Sequence, residues 1–390
     1  MGCSFTGVTI PTDSPDAVVR RYLDSASSEP LHPAARETLL AALDRGYADP
    51  ARLHGPGREA RLLLDNAREV MASLLGARPD EVSFTPSGTA AVHQGVLGLL
   101  QGRRRVSTRL VHSAVEHSAV FAAGRWWHTH ADGTTDVAGV DALGRVRLDG
   151  LASLVPGAGV VAVQSANPEV GTVQPLHEVA DLAREHEVPL FVDAAASAGR
   201  LDLPDGWAAG AASAHKWGGP AGVGVLLVRT GARWRAPFPV DDRIDPRGAG
   251  FENVPAVLAA AAGLQAVVAE RDEVGARQRA LVDRIRSRVP ELVDDVDVVG
   301  DPDRRLPHVV TFSVLYVEGE ALVRELDRRG FGVSSGSACS ASALTPSHVL
   351  EAMGALTHGN IRVSLTRDTG EADVEAFLDV LPAVVAGLRP

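Results

Sequence analysis

A single lysine, Lys216, stands among the 38 lysine and arginine residues of this chain. Arginine keeps the charge, but its pKa is too high to yield a neutral amine. A position that must condense with a carbonyl therefore cannot accept it. The lone lysine points to Schiff-base chemistry; the alternative is that one lysine survived by chance. Lys216 lies in Ser213-Ala214-His215-Lys216, directly after a short apolar run that predicts a strand. A lysine at a strand end can point into a cleft and meet an aldehyde there.

Other residues offer what such an aldehyde would need. Asp193 ends the apolar run Leu190-Phe191-Val192. A buried aspartate is costly unless paired. A pyridinium N–H would offset that cost and keep the ring an electron sink, whereas a turn cap is the structural alternative. Ser87-Gly88-Thr89 falls between a predicted strand and a predicted helix, where backbone N–H groups favour a phosphate or simply form an N-cap. Ser213 and His215 can complete a phosphate cup. His117, in Val115-Glu116-His117-Ser118, follows another strand end and can stack on a flat ring and shuttle protons, or be structural. Cys339 lies in Ser334-Ser335-Gly336-Ser337-Ala338-Cys339-Ser340-Ala341-Ser342, a small polar run that predicts a loop without bulky anchors. A thiol there suits reactivity better than core packing, the alternative being an incidental surface thiol. Arg362, in Asn360-Ile361-Arg362-Val363-Ser364, can grip a carboxylate with two parallel hydrogen bonds or pair with a neighbouring acid.

These residues need a scaffold that places strand ends side by side. Short β-rich runs alternate with longer helical patterns, which predicts βα units and a largely parallel sheet. Strands are expected at 82–85, 109–112, 160–163, 190–193 and 223–228, with another just before His215. Helices are expected over about 88–100, from about 116, over 176–185 and from about 255. Beyond about 270 the pattern changes to strands at 309–314 and 361–365, with helices at 319–328 and from about 371. The expected fold is α/β, with a large mainly parallel-sheet domain over 36–265 and a smaller α+β domain formed by 1–35 and 266–390.

The bulk properties agree. With 390 residues, 45% hydrophobic and 22% charged, the chain can bury a large core. A net charge of −11 argues against nucleic-acid binding, and the one tight basic run, Arg103-Arg104-Arg105, is expected in a solvated loop. No apolar run reaches about eighteen residues, so no membrane span is expected, and the Ala-rich 254–268 reads as a buried helix. Met1 to Thr6 fits a myristoylation pattern, but no polybasic second signal follows it. The two cysteines, Cys3 and Cys339, make neither a disulfide framework nor a metal cluster, and a cytoplasmic setting is expected.

Taken together, these residues resemble the cysteine desulfurases, within the class V aminotransferase group of fold-type I pyridoxal phosphate enzymes. The resemblance runs from about Tyr22 to the C-terminal helix. It is carried by Tyr22 to Ala26, Asp49 to His54, Phe84 to Thr89, Glu116-His117, Ser165 to Val173, Val192 to Ala194, Ser213 to Lys216, Tyr316 to Glu320, Ser334 to Leu350 and Asn360 to Leu365. It implies that Lys216 holds pyridoxal 5'-phosphate covalently, Asp193 pairs with the pyridine nitrogen and His117 stacks on the ring and transfers protons. Gly88, Thr89, Ser213 and His215 would bind phosphate, Arg362 would bind the substrate carboxylate, and Cys339 would accept sulfur as a persulfide while L-cysteine becomes L-alanine.

A homodimer and a sulfur-acceptor protein are implied as partners. The chain departs from the family pattern at three places. It has Asn167-Pro168 where many members have two asparagines, Ala196 where they have glutamine, and Asn253 where they place a threonine that reaches the neighbouring subunit's phosphate. The first two changes remove donors near the ring hydroxyl, for which Asn167 can compensate, also beside the substrate. Another class V activity (C–S lyase, selenocysteine lyase or aminotransferase) and a degenerate sulfur-relay scaffold remain open at this point.

Overall fold

The structure is a computed structural model that describes residues 20–389 other than 46, 242–244, 249 and 336–345. A short strand β1 (Arg21–Tyr22) leads into helices α1 (Pro33–Arg45) and α2 (Gly55–Leu74). Strands and helices then alternate as β2 (Val82–Thr85), α3 (Gly88–Arg103), β3 (Arg109–Ser113), α4 (Ser118–Ala131), β4 (Thr134–Ala138), α5 (Leu148–Leu154), β5 (Val160–Gln164), α6 (Leu176–Glu185) and β6 (Leu190–Asp193), after which β7 (Ala209–Ser213) and β8 (Gly224–Val228) follow with no α-helix between them. The long helix α7 (Val254–Leu292) follows. After it come β9 (Val296–Val299), β10 (Val309–Val314), α8 (Gly319–Arg328), β11 (Phe331–Gly332), α9 (His348–Met353), β12 (Asn360–Ser364) and α10 (Glu371–Leu388).

Seven strands form one sheet in the order β2-β8-β7-β6-β5-β3-β4. From β7 to β4 every pairing is parallel, and β8 and β2 are antiparallel additions at one edge. This is the mainly parallel α/β sheet that the alternating pattern predicts. Its central strands are buried throughout, because helices cover both faces, so they carry unbroken apolar runs such as Val160 to Val163. β4 has no such run: Thr134, Thr135 and Val137 are exposed at the edge, and its polar character hid it from the sequence pattern. Arg103 closes α3, while Arg104 and Arg105 follow it in an exposed turn, so only the first residue of the basic run departs from the expected loop.

A second, antiparallel sheet orders β12-β10-β9 and packs with α8, α10 and the end of α7 around Phe312, Ile361, Leu322 and Phe377. Leu23 belongs to the same core, and β1 pairs with β11. Helix α7 serves both cores. Val254 to Leu264 packs on the large sheet's side together with α1 and α2, while Leu281, Val282, Ile285 and Val289 enter the smaller core. Between these ends, residues 265–277 have no buried member. A cavity of about 490 Å³ lies along this span, between Arg200, Leu201, Val267, Arg279, Pro307 and Arg367. By length and composition α7 is apolar enough to cross a bilayer, and half of its most apolar window is buried inside the protein.

Candidate active site

The parallel strands bring their C-terminal ends to one edge, where α/β sheets hold their ligands. Gln164 lies opposite Asp193, and Asp193 opposite Ala211. The antiparallel strands extend this edge: Gly224 at the start of β8 is registered with both Ser213 at the end of β7 and Thr85 at the end of β2. The reversal therefore carries the first turn of α3 next to Ser213. The fit is close enough to need glycine. A Cβ on Gly224 would lie 2.2 Å from the Ser87 carbonyl oxygen, and one on Gly88 would lie 2.7 Å from the Ser213 Cβ.

Lys216 ends a one-turn 3-10 segment, Ala214–Lys216, that leaves β7. It is half-buried, and its Nζ donates to the Ala26 carbonyl. Ser213 Oγ and His215 Nδ1 are 3.0 Å apart. Ser87 caps α3 by accepting from the Ala90 N–H at 3.1 Å. Gly88 is buried and Thr89 exposed in the same first turn, whose N–H groups lack partners within the helix. His117 caps α4: its Nδ1 accepts from the Ala119 N–H at 3.1 Å. In the neutral ring the proton therefore sits on Nε2.

The segment 24–27 links Lys216 to Arg362. Arg362, buried on β12, donates from Nη2 to Asp24 Oδ1 at 2.7 Å and to Ser27 Oγ at 2.6 Å, and from Nη1 to the Pro168 carbonyl at 3.2 Å. It thus takes the neighbouring-acid pairing here, while its buried Nε has no hydrogen-bond partner among the described residues. Asn167 is buried and occupied by backbone. Its Oδ1 accepts from the N–H groups of Glu169 at 2.8 Å and Val170 at 2.9 Å, and its Nδ2 donates to the Val115 carbonyl at 3.1 Å. Ala196 packs with Ala26, Ala166, Leu306 and Val309. Asn253 stands apart: it is exposed and caps α7 by accepting from the Ala256 N–H at 3.2 Å, and no bond among the described residues joins it to the lysine cluster. Cys339 lies outside the described residues.

Burial dominates the electrostatics. Asp193 is fully enclosed, which pushes its carboxyl pKa above the usual range, partly countered by His117, the Ala195 N–H and Lys216. Burial holds the His117 imidazole below its ordinary value, with Asp193 pulling the other way, so the ring is neutral near pH 7. Two further carboxyls escaped the sequence reading as ionisable groups. Glu169 is pushed to about 7 by burial, partly countered by Ser347 and Arg362. Glu116 is pushed to about 8 by complete burial, although Ser113 Oγ and the Gln164 N–H donate to its Oε1. His348, half-buried beside Phe121, holds the same turn by donating to the Glu116 carbonyl at 3.0 Å. The buried His308, near Arg200, Arg362 and Lys216, also went unread. A charged residue in a polar stretch gives no sign that distant chain will cover it.

Glu116 predicts a pH signature. Its folded pKa lies above the unfolded one, so the folded state holds the extra proton and stability falls as pH rises between them. The expected slope from this group is about 1.4 kcal/mol per pH unit over roughly pH 5 to 8. Glu116→Gln mimics the protonated form and should remove this slope. Thermal unfolding from pH 5 to 8 reads it: the variant should gain on the native chain as pH rises, and parallel curves would refute the assignment.

The donor set suits pyridoxal phosphate. One ε-amine, one enclosed carboxylate whose burial a pyridinium N–H would offset, one imidazole, and a glycine cradle against Ser213 at the N-terminus of α3 all lie at one edge. No group of three or more His, Cys, Asp or Glu suited to a metal occurs among the described residues.

Comparison with known proteins shows the family to which the chain is similar. The aminotransferase class-V family profile matches residues 21–377. An IscS-like cysteine desulfurase of Mycobacterium tuberculosis is 37% identical over 381 residues, covering 94% of this chain and 97% of that one. The cysteine desulfurase IscS of Dictyoglomus turgidum is 32% identical over 375 residues, covering 94% and 95%. A solved NifS-like protein superposes with a TM-score of 0.87 at 27% identity, covering 95% of this chain and all of that one.

Proposed function

This chain belongs to the class V aminotransferases and, within them, to the cysteine desulfurase family, and on that premise we propose that it moves sulfur from L-cysteine onto Cys339 and releases L-alanine. The observation that carries this reading is the meeting of the chain's one ε-amine with the enclosed Asp193 and the His117 ring that caps α4 at the carboxyl edge of the sheet. Pyridoxal phosphate, which Lys216, Asp193, His117, Gly88, Thr89, Ser213 and His215 would hold, supplies an electron sink for the substrate α-carbon when bound.

The chain's own residues then divide the work. The Lys216 amine takes the proton from the substrate α-carbon. Asp193 keeps a proton on the ring nitrogen. His117 holds a proton at Nε2, ready for transfer. Arg362 takes the substrate carboxylate in exchange for Asp24 and the Pro168 carbonyl. The Cys339 thiolate attacks the substrate sulfur: an S–S bond forms, the C–S bond breaks, and its electron pair stays on carbon, which gains a proton and becomes the alanine methyl. Cys339 is left as a persulfide, from which a sulfur-acceptor protein removes the terminal sulfur. Exposed Leu40, Leu43, Tyr47, Leu53 and Phe251 support a homodimer.

The test is incubation of the purified protein with L-cysteine, with product analysis, mass mapping of the thiol and light scattering of the same sample. Alanine, a persulfide at Cys339 and a dimeric mass are expected. Cys339→Ser should form no alanine beyond background without added reductant. Pyruvate and ammonia as products would assign a lyase instead, and full alanine production by the serine variant would remove Cys339 from the reaction.

A further inference from the structure

A buried ion pair outside the lysine cluster grips the peptide that carries Lys216. Arg200, in the turn after β6, donates from Nη2 to Glu29 Oε2 at 3.0 Å and from Nη1 to the Lys216 main-chain carbonyl at 2.7 Å. Its side chain is 10% exposed and that of Glu29 3%. Glu29 completes the grip: its own N–H donates to the His215 carbonyl at 2.9 Å. Its second oxygen, Oε1, accepts from the Arg367 N–H at 3.0 Å, just beyond β12. One charged pair thus bonds two consecutive carbonyls of the lysine turn and ties that turn to the strand bearing Arg362.

This arrangement has a physical purpose beyond stability. Burying an ion pair is a weak source of stability, and a well-packed apolar pair does as well or better. A planar guanidinium fork fixes geometry instead, since it presents parallel donors in a set plane. The 3-10 turn Ala214–Lys216 is too short to hold itself, and its terminal carbonyls need outside donors.

We infer that Arg200 and Glu29 are positioning residues for Lys216, setting where its amine stands relative to Arg362. The inference rests on the reading of Lys216 as the amine that takes the cofactor.

The experiment uses the full chain freed of cofactor, with Arg200→Lys and Glu29→Gln. Lysine keeps the charge but cannot present two donors in one plane. Glutamine keeps an acceptor for Arg367 but leaves the Arg200 charge uncompensated beside Lys216. The readouts are the rate at which added pyridoxal phosphate is captured, followed by absorbance and fixed with borohydride, and the pH midpoint of the captured chromophore. Capture should slow by about tenfold in both variants, as misplacement of a reacting group by a fraction of an ångström does. In Glu29→Gln the midpoint should also fall, because an added positive charge disfavours protonation.

A purely structural pair would lower the melting temperature and leave capture and midpoint native, and that result overturns the role. Should Arg200→Lys not fold, Glu29→Gln alone decides by the same criteria. A native chain that forms no borohydride-stable adduct at Lys216 overturns the underlying reading, and this role with it.

Discussion

Lys216→Arg is expected to fold, keep its positive charge, and lose roughly a thousandfold or more of the alanine-forming rate. A guanidinium can still donate to the Ala26 carbonyl that the Lys216 ammonium now reaches, so the local bonding survives the exchange. What disappears is the capacity to become a neutral amine, and with it both attachment to an aldehyde and removal of the α-proton. Borohydride reduction of the variant with pyridoxal phosphate should leave no added mass on the peptide containing position 216, while circular dichroism stays native. A variant keeping more than about a tenth of the native rate would show that this amine does no chemistry.

Asp193→Asn has two expected effects of opposite benefit. The turnover rate should fall by about a hundredfold, the size expected when a charge-assisted hydrogen bond to the ring nitrogen becomes a neutral one. The cofactor-free protein should become more stable near neutral pH. The folded pKa of Asp193 is raised by its enclosure, so the folded state binds more protons than the unfolded one above pH 4, and stability drops as pH climbs through that window. Asparagine carries no such proton and no such drop. Unfolding of the cofactor-free proteins at pH 5 and pH 7.5 checks the second effect, and steady-state alanine formation checks the first. A parallel loss of stability in both proteins, or a rate within threefold of native, would contradict the role given to this carboxylate.

Much of the scaffold was legible because buried parallel strands have nowhere to place polar residues. The runs at 82–85, 190–193 and 309–314 read directly as β2, β6 and β10, and the amphipathic stretches at 176–185 and 319–328 read as α6 and α8. Lys216 was legible for a different reason, as the one amine in a chain that otherwise uses arginine. The pairings were not legible. Glu29 meets Arg200 across 171 residues, and Arg362 meets Asp24 across 338, so no local pattern signals that these charges are buried together. Asn167 illustrates a related limit. Its amide is expected near the cofactor, and what no strand or helix pattern signals is that its oxygen is engaged by the N–H groups of Glu169 and Val170 in a local turn. The antiparallel return through β8 was equally invisible as topology, although its strand was predicted.

Helix α7 sets a mechanical limit on the whole molecule. Its 39 residues make a rod of about 58 Å. One end is embedded beside the seven-stranded sheet, the other in the smaller core, and the stretch from 265 to 277 has no buried residue. A stiff shaft clamped at both ends resists translation of one body along the other. It concentrates any relative movement into twist about its own length and flexure of the bare middle, beside the cavity near Val267.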